Sequence, residues 1–306
     1  MQHHADVQLC RPGEAVPRWI RLVSLPGQTA ASDRARDGPD RPTAGSAPGA
    51  RPVPEEISVS TTQTAERRYA DFYRHQAKSP TLRGIYQDVY GDDYPAELEP
   101  FGFVTRTDLD RIAGLLDPPR GGLLVDIGCG RGGPGVAVAQ ARGARLLGLD
   151  VVAAAVEGAA TLATRLGLPD AEFRKGSFTE TGLPDSVAEA VLSIDALWMV
   201  WNKPAALAEV ARILRPGARL VLTTWEPAYL DHSRMLTRAG LVVDSREETP
   251  HWKERQLAVY AAVLAETEAL SRELGPGAEV IFEEARDTPP VLAETPRILL
   301  AAHRPG

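Results

Sequence analysis

The chain reads as an α/β protein, a mostly parallel sheet with helices on both faces, and three observations predict it. From residue 122 onward short apolar runs alternate with helical segments. One of these runs ends in Asp126 and passes at once into a glycine-dense loop, and the next ends in a second acid, Asp150, 22 residues beyond Gly128. Alternation of this kind implies crossover connections between parallel strands, whose helices cover both faces of the sheet.

Strands are expected near 122–127, 144–149, 171–175, 188–194, 219–225 and 240–244, and a last apolar run covers Ile298 to Ala302. Leu123, Leu124, Val125 and Ile127 make the first a buried strand. A helix follows the glycine loop from about Pro134. In the next helix Val156, Ala160, Ala163 and Leu166 share a face, and Gly167 supplies the stop. Leu207, Val210 and Leu214 do the same for a helix that Pro216 and Gly217 turn into an apolar strand. Ahead of the core, Glu66 to His75 and Thr107 to Leu116 read as helices flanking an irregular stretch that carries Tyr86, Tyr90, Tyr94, Phe101 and Phe103. Before the final run, an insertion at about 250–290 looks helical over Trp252 to Leu274, with Leu257, Tyr260 and Leu264 on one face.

Composition divides the chain into a tail, 1–58, and one domain, 59–306. The tail has eight prolines, no lysine and few strong apolar residues. Such a segment has too little apolar surface to offset ordering entropy and is expected to be disordered; a compact unit beginning near Val59 would not need it. Its seven arginines are matched by seven acids, so it is not a basic arm. A net charge of −7 disfavours nucleic acid and anionic lipid. No run reaches the roughly 18 apolar residues of a membrane span and no signal-like core is present, so a cytoplasmic protein is expected. Cys10 and Cys129 make no convincing disulfide or metal site. Beside glycines, Cys129 reads as a tolerated small residue. The dominance of arginine over the four lysines suggests a GC-rich bacterial genome.

The loop Gly128 to Gly133 allows backbone conformations and a ligand approach that a Cβ would block, and the following helix offers N-terminal N–H groups to whatever sits there. Gly128, Gly130 and Gly133 also satisfy GxGxxG, so the glycines alone suit a nicotinamide or flavin dinucleotide equally well. Asp126 shifts the balance, because a carboxylate suits a cation and repels a pyrophosphate. Asp150, at a strand end, suits ribose hydroxyls in either case.

The string VDIGCGRGG resembles motif I of the class I S-adenosylmethionine-dependent methyltransferases. RILRPGARLVLTTW, residues 212–225, resembles the LRPGG turn before their fifth strand, with Ala218 in place of the second glycine. The resemblance covers roughly residues 120–245. It implies a Rossmann-like class I methyltransferase fold: a seven-stranded, mostly parallel sheet ordered 3-2-1-4-5-7-6, an antiparallel seventh strand, and an N-terminal helical cap over 59–119 on a core of 120–306. It implies S-adenosylmethionine as cofactor, with Asp126, Gly128, Cys129 and Gly130 at the methionine end, Asp150 and Val151 at the ribose, and Ser177 and Phe178 at the adenine. Ser177 stands where the family usually has an acid. Asp195 is implied beside the methionine end, and Tyr73, Trp198 and Trp225 are expected on the acceptor side.

What the resemblance implies for activity is in-line methyl transfer to oxygen, nitrogen or carbon of a small molecule, expected to be a specialised metabolite. The sequence has no NPPY-type tetrapeptide, no paired-glutamate loop and no carboxylate cluster for magnesium, so no metal is expected. No general base stands out: His75, His232 and His251 each read as structural. The alternatives are an NAD(P)-dependent oxidoreductase and a noncatalytic cofactor-binding module of the same fold.

Overall fold

Seven strands join in one sheet: β1 (Leu123–Ile127), β2 (Arg145–Asp150), β3 (Glu172–Lys175), β4 (Ala188–Ile194), β5 (Leu214–Trp225), β6 (Val242–Glu248) and β7 (Arg297–His303). Their order is β3-β2-β1-β4-β5-β7-β6, as expected. β7 runs antiparallel to both β5 and β6, while every other pair is parallel. The strand order reverses between β1 and β4, which opens a crevice beyond the carboxyl ends of the strands, where open α/β sheets take their ligands. The computed structural model describes residues 55–306, with side-chain surroundings from residue 65. Most of the expected tail, Cys10 included, lies outside the described residues.

The helices are α1 (Glu55–His75), α2 (Pro80–Tyr90), α3 (Arg106–Leu116), α4 (Gly133–Arg142), α5 (Ala153–Arg165), α6 (Lys203–Ile213), α7 (His232–Arg238), α8 (Trp252–Ala265), α9 (Thr267–Leu274) and α10 (Ala278–Asp287). Three buried clusters result. Two cover the faces of the sheet, and the third joins residues of α1, α2 and Phe103 to the insertion helices α8, α9 and α10. Cap and insertion thus pack as one layer, Thr62–Gly306 forming a compact unit.

Four details differ from expectation. Helix α1 begins at Glu55 rather than Glu66. The stretch expected to be irregular contains α2, which Ser79 caps by accepting from the Leu82 N–H at 3.0 Å and which Pro80 opens; its stripe Leu82, Ile85, Tyr86 and Tyr90 is buried because it meets the insertion. On α5 the buried face is Ala154, Ala155, Ala159, Leu162 and Ala163, so Val156 and Ala160 flank the seam. On α8 it is Trp252, Gln256, Val259, Tyr260 and Val263, while Leu264 is 38% exposed. On both helices, packing on two sides widens the covered stripe beyond the single row that periodicity picks out. The Pro216–Gly217 turn survives as an excursion within β5: Leu214 pairs with Ala188 and Arg219 with Ala190, and Gly217 takes φ +80°.

Candidate functional site

The loop between β1 and α4 is held open by its own backbone. The Gly128 and Cys129 N–H groups donate to the Leu149 carbonyl at 2.8 and 3.0 Å, and Gly128, Gly130 and Gly132 all lie at positive φ. Asp150 braces it from β2: one carboxylate oxygen accepts from the Gly130 N–H at 2.8 Å and the other from the Val152 N–H at 2.9 Å, at the start of α5. Half-buried Val151 lies between them in sequence. The acid expected at the ribose thus fixes the loop, with the Val151 N–H as a further backbone donor to it. Burial pushes its carboxyl up from the usual range, against these hydrogen bonds.

Asp126 is buried on β1, its carboxylate packed against Gly135 in the first turn of α4. Burial first, then the charge of Asp150, push its carboxyl up to about 8. Cys129 is buried and its thiol is pushed up by burial, which fits an inert small residue rather than a nucleophile.

The cap closes over this loop. Tyr73 of α1 sits against Gly130, its hydroxyl 3.1 Å from where a Cβ would lie. Tyr73, expected on the acceptor side, thus lies against the glycine loop. Arg131, between the glycines, donates to the Glu99 carboxylate at 2.8 and 3.2 Å, and Glu99 also takes Arg165 of α5 at 2.6 Å. Neither Arg131 nor Glu99 was among the expected site residues; the one hint was a charged residue inside a run of glycines. On the far side, Phe178 and Ala196 pack against Gly128. Ser177 caps its own turn, accepting from the Glu180 N–H at 3.1 Å.

Asp195, at φ +53° just after β4, is held by four hydrogen bonds on its carboxylate. Arg297 grips its carboxylate through Nε at 2.9 Å and Nη2 at 3.1 Å, Thr223 donates to it at 2.8 Å, and the Phe103 N–H at 3.3 Å. Arg297, 1% exposed, also reaches Asp108 of α3 at 3.1 Å and Thr249 at 3.2 Å. These bonds tie the cap to the ends of β4, β5 and β7 through Asp195.

Above the ends of β4 and β5 stands an aromatic wall. Trp225 meets Trp198 edge-on at 6.0 Å and Phe103 at 5.7 Å, and Phe103 meets Tyr260 at 5.8 Å. Trp225 donates to Gln256 at 3.1 Å, and Gln256 to Tyr260 at 2.9 Å. The structure thus brings Trp198 and Trp225 together. The three histidines do not join them: His232 is fully buried and bonded through Nδ1 to Glu226 at 2.9 Å, His75 bonds its own helix, and His251 precedes α8. Among the described residues no cluster of acids, histidines or cysteines is arranged to hold a metal, and no helix is long and apolar enough to cross a membrane.

Gly128→Ala should test the loop. The new Cβ would overlap that of Ala196 at a backbone angle of +75°, so a loss of about 2–4 kcal/mol is expected from left-handed strain plus overpacking. Denaturant unfolding measures it; an unshifted midpoint would mean that the loop has slack.

A glycine loop flanked by two carboxylates lies at the switch point of a sheet ordered 3-2-1-4-5-7-6, the strand order of the class I methyltransferase fold. Residues 125–222 match the family model for a methyltransferase domain. The chain is 33% identical over 134 residues to the 27-O-demethylrifamycin SV methyltransferase of Amycolatopsis mediterranei (strain S699), covering 44% of this chain and 48% of that one. Two solved structures share the fold: geranyl diphosphate methyltransferase with GPP and sinefungin (TM-score 0.56, 22% identity, 80% of this chain and 98% of the other), and the [4+2]-cyclase SpnF (TM-score 0.60, 19% identity, 80% and 96%). The chain spans about half the length of the curated relatives it matches.

Proposed function

We propose that this protein transfers a methyl group from S-adenosylmethionine to a small-molecule acceptor held beneath the cap and insertion. One observation carries this reading. Asp126 is a buried carboxylate at the loop whose one charged influence is another carboxylate. A carboxyl that burial holds protonated near neutrality is drawn to its charged form by a bound ammonium or sulfonium and not by a pyrophosphate, which argues against the oxidoreductase alternative.

S-adenosylmethionine, when bound, supplies an electrophilic methyl carbon on a sulfonium. Asp126 would answer the positive end of the cofactor and Asp150 the ribose, with Gly128 to Gly130 and Val151 lining its path. Ser177 and Phe178 would take the adenine, and Tyr73 would close over the loop. Trp198, Trp225, Phe103 and Tyr260 would wall the acceptor. Orientation along the C–S axis supplies most of the acceleration, and a weakly polar wall does not hinder a reaction in which the sulfonium loses its charge. The relative that acts on a rifamycin supports a place in bacterial specialised metabolism, and a cytoplasmic setting follows from the charge and hydropathy of the chain.

Calorimetric titration with S-adenosylhomocysteine and with NADH tests the reading. Binding of the first and not the second is expected, and Asp150→Ala should weaken it by about 1.5–3 kcal/mol, the range for hydrogen bonds to a charged group. Tight NADH binding alone would refute the assignment.

A further inference from the structure

Arg131 is the one charged residue within the glycine run from Gly128 to Gly133, and its guanidinium is spent on the cap. Nη2 and Nε donate to one oxygen of the Glu99 carboxylate at 2.8 and 3.2 Å, and Arg165, the last residue of α5, donates to the other at 2.6 Å. Only 15% of the Arg131 side chain and 6% of the Glu99 side chain are exposed, so solvent and salt screen the pair little. The remaining Nη1 reaches the Tyr73 carbonyl at 3.5 Å and packs on Gly158 of α5, where a Cβ would overlap it.

Two pieces of the cap are thus held by one residue of the loop. Tyr73 lies on Gly130, across the path proposed for the cofactor. The turn Ala96–Leu98 lies on the start of α4, its Leu98 carbonyl seated where a Cβ on Gly133 would be. Glu99, which follows, sits at φ +48°, a left-handed backbone that persists in a residue with a side chain only where its surroundings over-determine it. Those surroundings are the two arginines and Gln76, whose side-chain amide donates to the Glu99 carbonyl at 3.1 Å. Release of Arg131 lets Glu99 relax, and the roof of the glycine loop goes with it.

We propose that the Arg131–Glu99 pair is a latch that sets how fast S-adenosylmethionine enters and S-adenosylhomocysteine leaves, with Arg131 a positioning residue for the cap. The inference rests on the proposed methyl-transfer reading, which puts the cofactor along Gly128 to Gly130. The cofactor passes when Tyr73 and the Ala96–Leu98 turn lift from the loop, and lifting them breaks the ion pair. The pair joins loop, cap and α5 and leaves the cofactor path to the glycines, so it contributes equally with and without cofactor. Its loss then raises the open fraction by one factor in both states: entry and exit speed up together, and their ratio is kept.

Surface plasmon resonance with the full chain immobilised and S-adenosylhomocysteine as analyte reads both rates, for the parent and for Glu99→Gln and Arg131→Lys. Glu99→Gln keeps the shape of the side chain and removes its charge. Its association and dissociation rates should each rise at least about tenfold while the dissociation constant stays within about threefold. Arg131→Lys keeps a cation opposite Glu99 but loses the planar fork, and both rates should rise by roughly threefold. A thermal melt confirms that each variant is folded, and either one alone decides. Rates equal to those of the parent in a folded variant overturn the proposal. A weaker dissociation constant with an unchanged association rate overturns it as well, because that is the mark of a residue that merely props the loop. Failure of the parent to bind S-adenosylhomocysteine would instead overturn the methyl-transfer reading itself.

Discussion

Asp126→Asn is expected to stabilise the cofactor-free protein by about 3–5 kcal/mol at pH 8 and by under about 0.5 kcal/mol at pH 4. The carboxyl titrates at about 8 in the folded chain and at about 4 in an unfolded one. Below pH 4 both states hold the proton and pH does not distinguish them. Between 4 and 8 the unfolded state has released it while the folded state still binds it, so stability falls by up to about 1.4 kcal/mol per pH unit. Above 8 both are ionised and the folded state bears the whole cost of a buried anion. The full four-unit difference would exceed 5 kcal/mol, but the carboxylate abuts the first turn of α4, whose dipole returns about 0.5–1 kcal/mol. Asparagine abolishes this slope and also relieves Asp150. The same change should weaken S-adenosylhomocysteine binding by about 1.5–3 kcal/mol, since the cofactor ammonium loses its partner. Denaturant unfolding across pH 4 to 8, with calorimetry at pH 7.5, reads both effects. A difference in stability that does not vary with pH would show that Asp126 is already compensated.

That opposition of stability and binding follows from what a single chain position could reveal. The carboxylate before the glycines was legible because its type and spacing are local: strand, acid, glycine loop and helix follow one another within fifteen residues. Strand positions were legible for the same reason, and their order came from the resemblance to a family. Residues whose roles depend on distant partners were not. The bond between Asp195 and Arg297 spans 102 residues. Glu99 and Arg131 meet across 32 residues, and Glu284 meets Tyr69 across 215. Helix α2 was missed because glycine and tyrosines weaken its propensity, and its burial comes from the insertion rather than from its own pattern.

The sheet does not choose the reaction. A [4+2]-cyclase shares this fold over 80% of the chain, so activity must be argued from the site. What this chain adds to the sheet is a pair of buried carboxylates at the glycine loop, an aromatic wall above the ends of β4 and β5, and a cap fastened to both. The fastening is electrostatic where cap meets strand ends, at Arg297, and at the loop, through Glu99.

Arg297→Met should therefore destabilise the protein by about 3–5 kcal/mol, because it strands two buried acids that the guanidinium now neutralises. Methionine fills most of the volume, so the loss is one of charge pairing rather than packing. Asp195 would keep Thr223 and the Phe103 N–H, and Asp108 its cap bond to the Thr105 N–H at 3.3 Å. For a unit of this size the midpoint of thermal unfolding should fall by roughly 6–20 °C. Asp108 is already raised by burial in spite of Arg297. Without the arginine the Asp108 carboxyl would titrate higher still, binding its proton more tightly folded than unfolded. The defect should then be smallest near pH 4 and grow as pH rises. Adding Asp195→Asn and Asp108→Asn to Arg297→Met should recover part of the loss at pH 8 and little at pH 4, since neutral amides need no counter-charge. Acceptor KM should rise more than the dissociation constant of S-adenosylhomocysteine, because Asp195 holds the Phe103 backbone and Arg297 pairs with Trp225 across β5 and β7, whereas the glycine loop is braced separately by Asp150. A variant as stable as the parent at pH 8 would mean that solvent reaches the two carboxylates, and the cap would then need another anchor.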